Sequence, residues 1–193
     1  MIGGRVAIAI LIAVLSAACG SSPKTYFYTL NPSEPPRSSP GSATYSIVVG
    51  PVTVPETLDR SQIVLTTAAN RVELSDFHRW AEPLKSEVGR AIAANLARDL
   101  DSAQVAASPQ YAIANPDYQV IVDVQRFESV TSDAVTVDAL WAVRRAAGGE
   151  TRTGRSLVRE PTAGAGYDAV VAAHGRALTR VSQDIAATIR TMR

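Results

Sequence analysis

Residues 1–18 read MIGGRVAIAILIAVLSAA, and this opening decides how much of the 193-residue chain is free to form a domain. Arg5 is its only charge, and Val6 to Leu15 is an unbroken run of Val, Ala, Ile and Leu. The run is too short for a spanning helix, which needs ~20 apolar residues. Small residues Ser16, Ala17 and Ala18 follow, the layout of a secretory signal peptide. Gly20-Ser21-Ser22-Pro23-Lys24 is polar and turn-forming, so a helix started upstream stops there. The expected organisation is a signal peptide at 1–18, a tether with a first strand and a Pro/Ser-rich connector at 19–44, and a globular domain at 45–193.

Cys19 is the only cysteine. That excludes an intramolecular disulfide, an iron–sulfur cluster and a multi-cysteine zinc site. Two histidines leave little for a histidine metal site, and no cofactor is expected. With Lys+Arg 19 against Asp+Glu 18, the chain has no basic surplus to attract nucleic acid. Placed directly after two alanines, Cys19 resembles the lipobox cysteine of bacterial lipoproteins, with Ser16 standing where that motif carries a large aliphatic residue. The resemblance implies acylation of the thiol and cleavage before it. Each buried methylene of the lipid contributes ~0.8 kcal/mol, and two or more acyl chains make the anchor stable. Gly20 and Ser21, rather than Asp, follow the cysteine. By the sorting rule of such lipoproteins this implies the periplasmic side of the outer membrane.

Along the mature chain, Tyr26 to Leu30 is aromatic and β-prone. Residues 31–42 hold four prolines and form a connector without a packing face. Tyr45 to Val54 reads as a strand bent at Gly50-Pro51, because proline cannot hold a central ladder position. Pro55 to Arg60 is a turn, and Gln62–Thr67 with Arg71–Leu74 forms a hairpin around Ala69-Asn70. A helix is expected from near Trp80, with Pro83 in its first turn. Leu84, Val88, Ile92, Leu96 and Leu100 make its apolar stripe, and Lys85, Glu87, Arg90 and Arg98 lie off it. Residues 101–117 read as a loop. Tyr118–Phe127 and Ala134–Val143 alternate as two long antiparallel strands, and Arg152–Arg159 is a third after a turn at Gly148-Gly149. A last helix spans Tyr167 to Met192, with His174 on its apolar stripe. A sheet with two helices is the economical packing.

Several segments together resemble the ABC-type transport auxiliary lipoproteins, the family of the paraquat-inducible protein C and YmbA-like lipoproteins. They are Cys19, Tyr26-x-Tyr28-x-Leu30, Val49-Gly50-Pro51-Val52, Pro55-x-x-Leu58-Asp59-Arg60-x-Gln62-Ile63-Val64 and Arg79-Trp80-Ala81-Glu82-Pro83-Leu84. Asn95-Leu96-x-x-x-Leu100, Tyr118-Gln119-Val120, Val124-x-Arg126-Phe127 and Ala139-Leu140-Trp141 complete the set. The resemblance implies an α/β fold, a single three-layer domain with a mixed sheet and two main helices, similar to anticodon-binding-like domains. It implies no catalysis. The implied partners are an MCE-domain periplasmic protein with its ABC permease and ATPase, and the membrane through the lipid anchor. A homo-oligomer is left open.

Arg79 and Trp80 have two readings: a core contact at a helix start, or anchors of a partner surface, where Arg and Trp are enriched. Leu58, Asp59 and Arg60 form either a turn with a local ion pair or a partner contact. His78 in Asp76-x-His78 has no companion nucleophile; there is no G-x-S-x-G, and the one S-x-x-K lies in the tether. The alternative to an accessory of lipid transport is a lipid- or hydrophobe-binding module enclosed by the apolar strands and helix faces.

Overall fold

The computed structural model describes residues 23–30, 44–100, 103–109 and 113–193; the signal peptide, Cys19 and the connector lie outside them. Strands are β1 (Tyr26–Tyr28), β2 (Tyr45–Thr53), β3 (Gln62–Ala68), β4 (Arg71–Trp80), β5 (Ala103–Ala107), β6 (Tyr118–Ser129), β7 (Ala134–Arg145) and β8 (Thr151–Pro161). Helix α1 (Leu84–Asp99) follows β4, and α2 (Tyr167–Met192) follows β8. The domain is mixed α/β with two main helices.

The strands divide between two sheets. The larger has the order β5-β2-β6-β7-β8, and the smaller β1-β4-β3. In the larger, β2 runs parallel to both β5 and β6. β6, β7 and β8 form an antiparallel meander. The register of β2 against β6 slips between Val49 and Val52, where Gly50-Pro51 interrupts the ladder as the sequence implies.

Tyr118, Val120, Val122 and Val124 of β6 are buried, as are Val135, Val137, Ala139, Trp141 and Val143 of β7. Both sets face the helices: α1 packs on β2 and β5, α2 on β7 and β8, and the helices pack on each other. Leu84, Val88, Ile92 and Leu96 are each at most 1% exposed, so the expected stripe of α1 is its core face. On α2 the buried line is Val170, Ala177, Leu178, Val181, Ile185 and Ile189.

A three-layer domain around one mixed sheet is not what these strands build. The helices cover one face of the larger sheet, and its other face carries exposed Asp123, Leu140, Arg155 and Leu157. Alternation along most of β6 to β8 leaves one face far more apolar than the other. The smaller sheet instead packs beside the end of β6 and the start of α2. There Trp80 meets Phe127 edge-on at 6.2 Å, and Phe127 stacks on His174 at 3.7 Å.

Three local expectations change. Trp80 ends a strand rather than starting a helix: β4 continues through a bulge to pair Tyr28 with Trp80, and α1 begins only after Pro83. Residues 103–107, expected as loop, form β5, an edge strand whose Ala-Gln-Val-Ala-Ala sequence carries neither alternation nor strong β-propensity. Glu87, placed on the polar side of the helix, is 1% exposed, because the chain leaving β1 crosses over it. Its carboxylate accepts the Leu30 N–H at 2.9 Å and pairs with Arg90 at 3.0 Å. The buried charge is therefore matched on both sides.

Candidate functional site

The turn after β2 is closed by its own backbone. The Leu58 N–H donates to Pro55 O at 2.8 Å, Asp59 N–H to Glu56 O at 3.2 Å, and Arg60 N–H to Leu58 O at 2.8 Å. Leu58 is half-buried against the core and pins the turn. The end of β4 is fixed to both neighbours: Trp80 N–H donates to Ser61 O at 2.7 Å, and Ala81 N–H to Tyr28 O at 2.8 Å. Pro83 then starts α1, and its missing N–H costs nothing there.

These two segments meet. Asp59, Arg60 and Ser61 form one wall of an open concavity of about 330 Å³, and Trp80, Ala81, Glu82 and Pro83 form the other. Its rim is charged. Lys85 Nζ lies 3.2 Å from Asp59 Oδ2, and Arg90 holds Glu82. Arg60 is exposed, and its guanidinium makes no ion pair among the described residues. The concavity therefore offers two compensated carboxylates and one uncompensated cation over a rigid floor. A rim held by backbone hydrogen bonds, with one unengaged arginine, suits recognition of an acidic group better than chemistry.

Of the residues singled out from the sequence, Asp59, Arg60 and Trp80 come together here. Trp80 is 4% exposed, so its ring supports the floor and little of it is left to touch a partner. Leu58 sits beneath the turn. Arg79 points to the outer face of the smaller sheet, its Nε donating to Asp76 O at 3.1 Å, and does not line the concavity. Glu82 and Ser61 line it without a contact signal in the sequence: Glu82 belongs to the Arg79 to Leu84 segment, whose spacing signals a helix start, and Ser61 carries none of its own.

Both histidines serve packing. His78 stacks on Tyr167 at 3.8 Å, and its Nδ1 lies 2.7 Å from the Tyr28 hydroxyl, tying β1 and β4 to α2. His174 is fully buried, with Nε2 2.8 Å from Ser129 Oγ. Burial pushes its pKa down to about 3 and keeps the ring neutral. Among the described residues no three His, Cys, Asp or Glu side chains group as a metal site, and no helix is long and apolar enough to cross a membrane.

Residues 28–186 match the family model described as ABC-type transport auxiliary lipoprotein component. The chain belongs to this family. Its members are non-catalytic accessories of transport, consistent with a periplasmic, lipid-anchored protein that works with ABC transport machinery. Two crystal structures share the fold. One, of an uncharacterized protein, is 21% identical and aligns with a TM-score of 0.71 over 86% of this chain and 99% of that one. The other, protein XCC0632 from Xanthomonas campestris, is 19% identical with a TM-score of 0.62 over 87% of this chain and 100% of that one. None of the curated proteins matches.

Proposed function

We propose that this auxiliary lipoprotein docks an MCE-type lipid transport assembly at the periplasmic face of the outer membrane. In this reading acylated Cys19 holds the domain there, and the concavity between the Asp59–Arg60 turn and the end of β4 takes the partner. The observation that carries the proposal is the convergence of Asp59, Arg60 and Glu82 on one rigid rim, from two segments about twenty residues apart in the chain. Arg60 would meet an acidic group of the MCE-domain protein, and that protein would bring its permease and ATPase.

The lipid adds position. The six residues Gly20 to Thr25 reach ~20 Å, so the domain stays close to the bilayer and the docking surface gains effective concentration there. The alternative, a hydrophobe-binding module, would use the open apolar recess of about 530 Å³ lined by Ile121, Leu140, Trp141 and Ala142, since the inner strand and helix faces are packed against each other.

The test is binding of the periplasmic part of the MCE partner by Arg60→Glu and Glu82→Ala variants, with Leu157→Ser on the far sheet as control. Arg60→Glu should weaken binding at least tenfold, because it replaces the unengaged cation with a like charge, and Leu157→Ser should bind as wild type. Equal affinity of all three would remove the concavity as the docking surface. Cys19→Ser should release the protein from membranes and leave the fold intact; a variant that still floats with membranes would show another anchor.

A further inference from the structure

Seven large apolar side chains are conspicuously exposed among the described residues, and five of them belong to the smaller sheet: Tyr26, Phe27, Val72, Leu74 and Phe77. The register gathers most of them on one face. Phe27 pairs with Arg79, and Arg79 with Gln62. Val64 pairs with Leu74, and Thr66 with Val72. Residues that pair directly share a face, and Gln62, Val64 and Thr66 alternate with inward-facing Ile63 and Leu65. Phe27 at 65%, Val72 at 58% and Leu74 at 41% exposure therefore lie together on the face turned away from the core, with Phe77 at 42% in the adjoining bulge.

We infer that this face of the smaller sheet lies on the bilayer surface and inserts Phe27, Val72, Leu74 and Phe77 among the lipid headgroups and upper acyl chains. The inference rests on the anchored reading of Cys19. The described chain begins at Pro23, four residues after that cysteine, and those four residues span at most ~14 Å. Pro23 leads directly into β1, the strand that carries Phe27. A lipid at Cys19 therefore keeps the start of β1 close to the membrane.

Size and charge favour a bilayer over a protein occupant. The four side chains expose on the order of 400 Å² of apolar surface, about half of the ~800 Å² each partner buries in a stable complex. An apolar patch of that size is ample for a surface that already has a covalent anchor beside it. Lys24, Arg71 and Arg79 are set against Glu73 and Asp76, so charge on this sheet nearly cancels. Contact is then apolar and does not depend on anionic lipid. The contact fixes the orientation of the domain, which a lipid on a single residue does not.

The experiment uses the full acylated protein in phosphatidylcholine vesicles carrying bromine on the upper acyl chain, a quencher of nearby tryptophan. Leu74→Trp reports on the smaller sheet, and Leu157→Trp reports on the outer face of the larger sheet as the control. Native Trp80 and Trp141 are common to both. The expected result is a marked loss of emission for Leu74→Trp, unchanged in high salt, with Leu157→Trp at the wild-type level. Equal emission from the two reporters in vesicle-bound protein would overturn the inference, as would their equality because a second copy covers the sheet, seen as a dimer in cross-linking. Flotation of Cys19→Ser is read separately. If that variant floats and Leu74→Trp is quenched in it, the anchor reading fails and the sheet contact stands.

Discussion

The two sheets show their outward faces to solvent in different ways. On the larger sheet, exposed Leu140 and Leu157 sit among matched charges. Arg155 reaches Asp138 at 2.7 Å, Arg159 reaches Asp133 at 2.7 Å, and Arg126 reaches Glu128 at 2.7 Å. Hydrogen bonds from Arg155 hold the Asp138 carboxyl below its usual range. On the smaller sheet, Phe27, Val72 and Leu74 share the outward face, and the arginine on that face, Arg79, turns back onto Asp76 O. Ion pairs flank the exposed apolar residues of the larger sheet, and among the described residues none lies between those of the smaller sheet. Exposure alone says little, since single apolar residues on a surface are ordinary. Grouping and the absence of interleaved ion pairs separate the two.

The comparison predicts where substitutions matter. The largest effect is expected beneath the larger sheet. Leu96→Ala should cost ~2–5 kcal/mol in urea unfolding, because Leu96 is fully enclosed between sheet and helices. Next is Gly154→Ala. An added methyl carbon there would lie 2.2 Å from the Trp141 ring, which packs flat across the Gly154 backbone. Trp141 would have to move, loosening the hydrogen bonds from its Nε1 to Ser156 and from Ser156 to Asp184. The expected cost is ~1–3 kcal/mol, and a neutral result would mean that the indole shifts freely.

The seam between the sheets should respond to acid. His174 is held neutral in the fold, with its pKa lowered from 6.5 to about 3, whereas the unfolded chain protonates it near its ordinary value. Between these values the unfolded state binds the extra proton, so stability falls as pH drops below about 6.5, by up to ~1.4 kcal/mol per pH unit. Unfolding measured at pH 7.5 and 5.5 should show the loss, and His174→Phe should flatten that dependence. An equally steep dependence in His174→Phe would assign it to other groups. The smallest effect is expected on the exposed sheet. Leu74→Ser should change stability in solution by no more than ~0.5 kcal/mol, and a larger loss would show that this face is held by contacts within the domain.

What could be read in the sequence follows the same division. The two long alternating strands, the stripe from Leu84 to Leu100 and the last helix are legible because each repeats one period over many residues against a single core. Pro83 marked the start of α1 through its own geometry. The smaller sheet was harder. β4 carries a bulge that breaks alternation between Leu74 and Arg79, so Trp80 read as helix. β5 is short and alanine-rich, and becomes a strand only because β2 offers a parallel edge. Burial of Glu87 comes from a strand more than fifty residues earlier, which local pattern cannot register. At the candidate site, the segments around Asp59–Arg60 and Trp80 were visible as motifs. Their meeting, and the turning away of Arg79, depend on the register of β1, β4 and β3.

In the proposed reading the folded domain carries the docking surface and the lipid supplies only position. A protein starting at Ser21 and exported without acylation tests this most directly, in paired assays of partner binding in solution and of lipid transport in cells lacking the native protein. Wild-type affinity for the periplasmic part of an MCE-domain partner is expected together with failure to restore transport. Full restoration of transport by the unanchored form, or loss of binding with the fold intact, would contradict it.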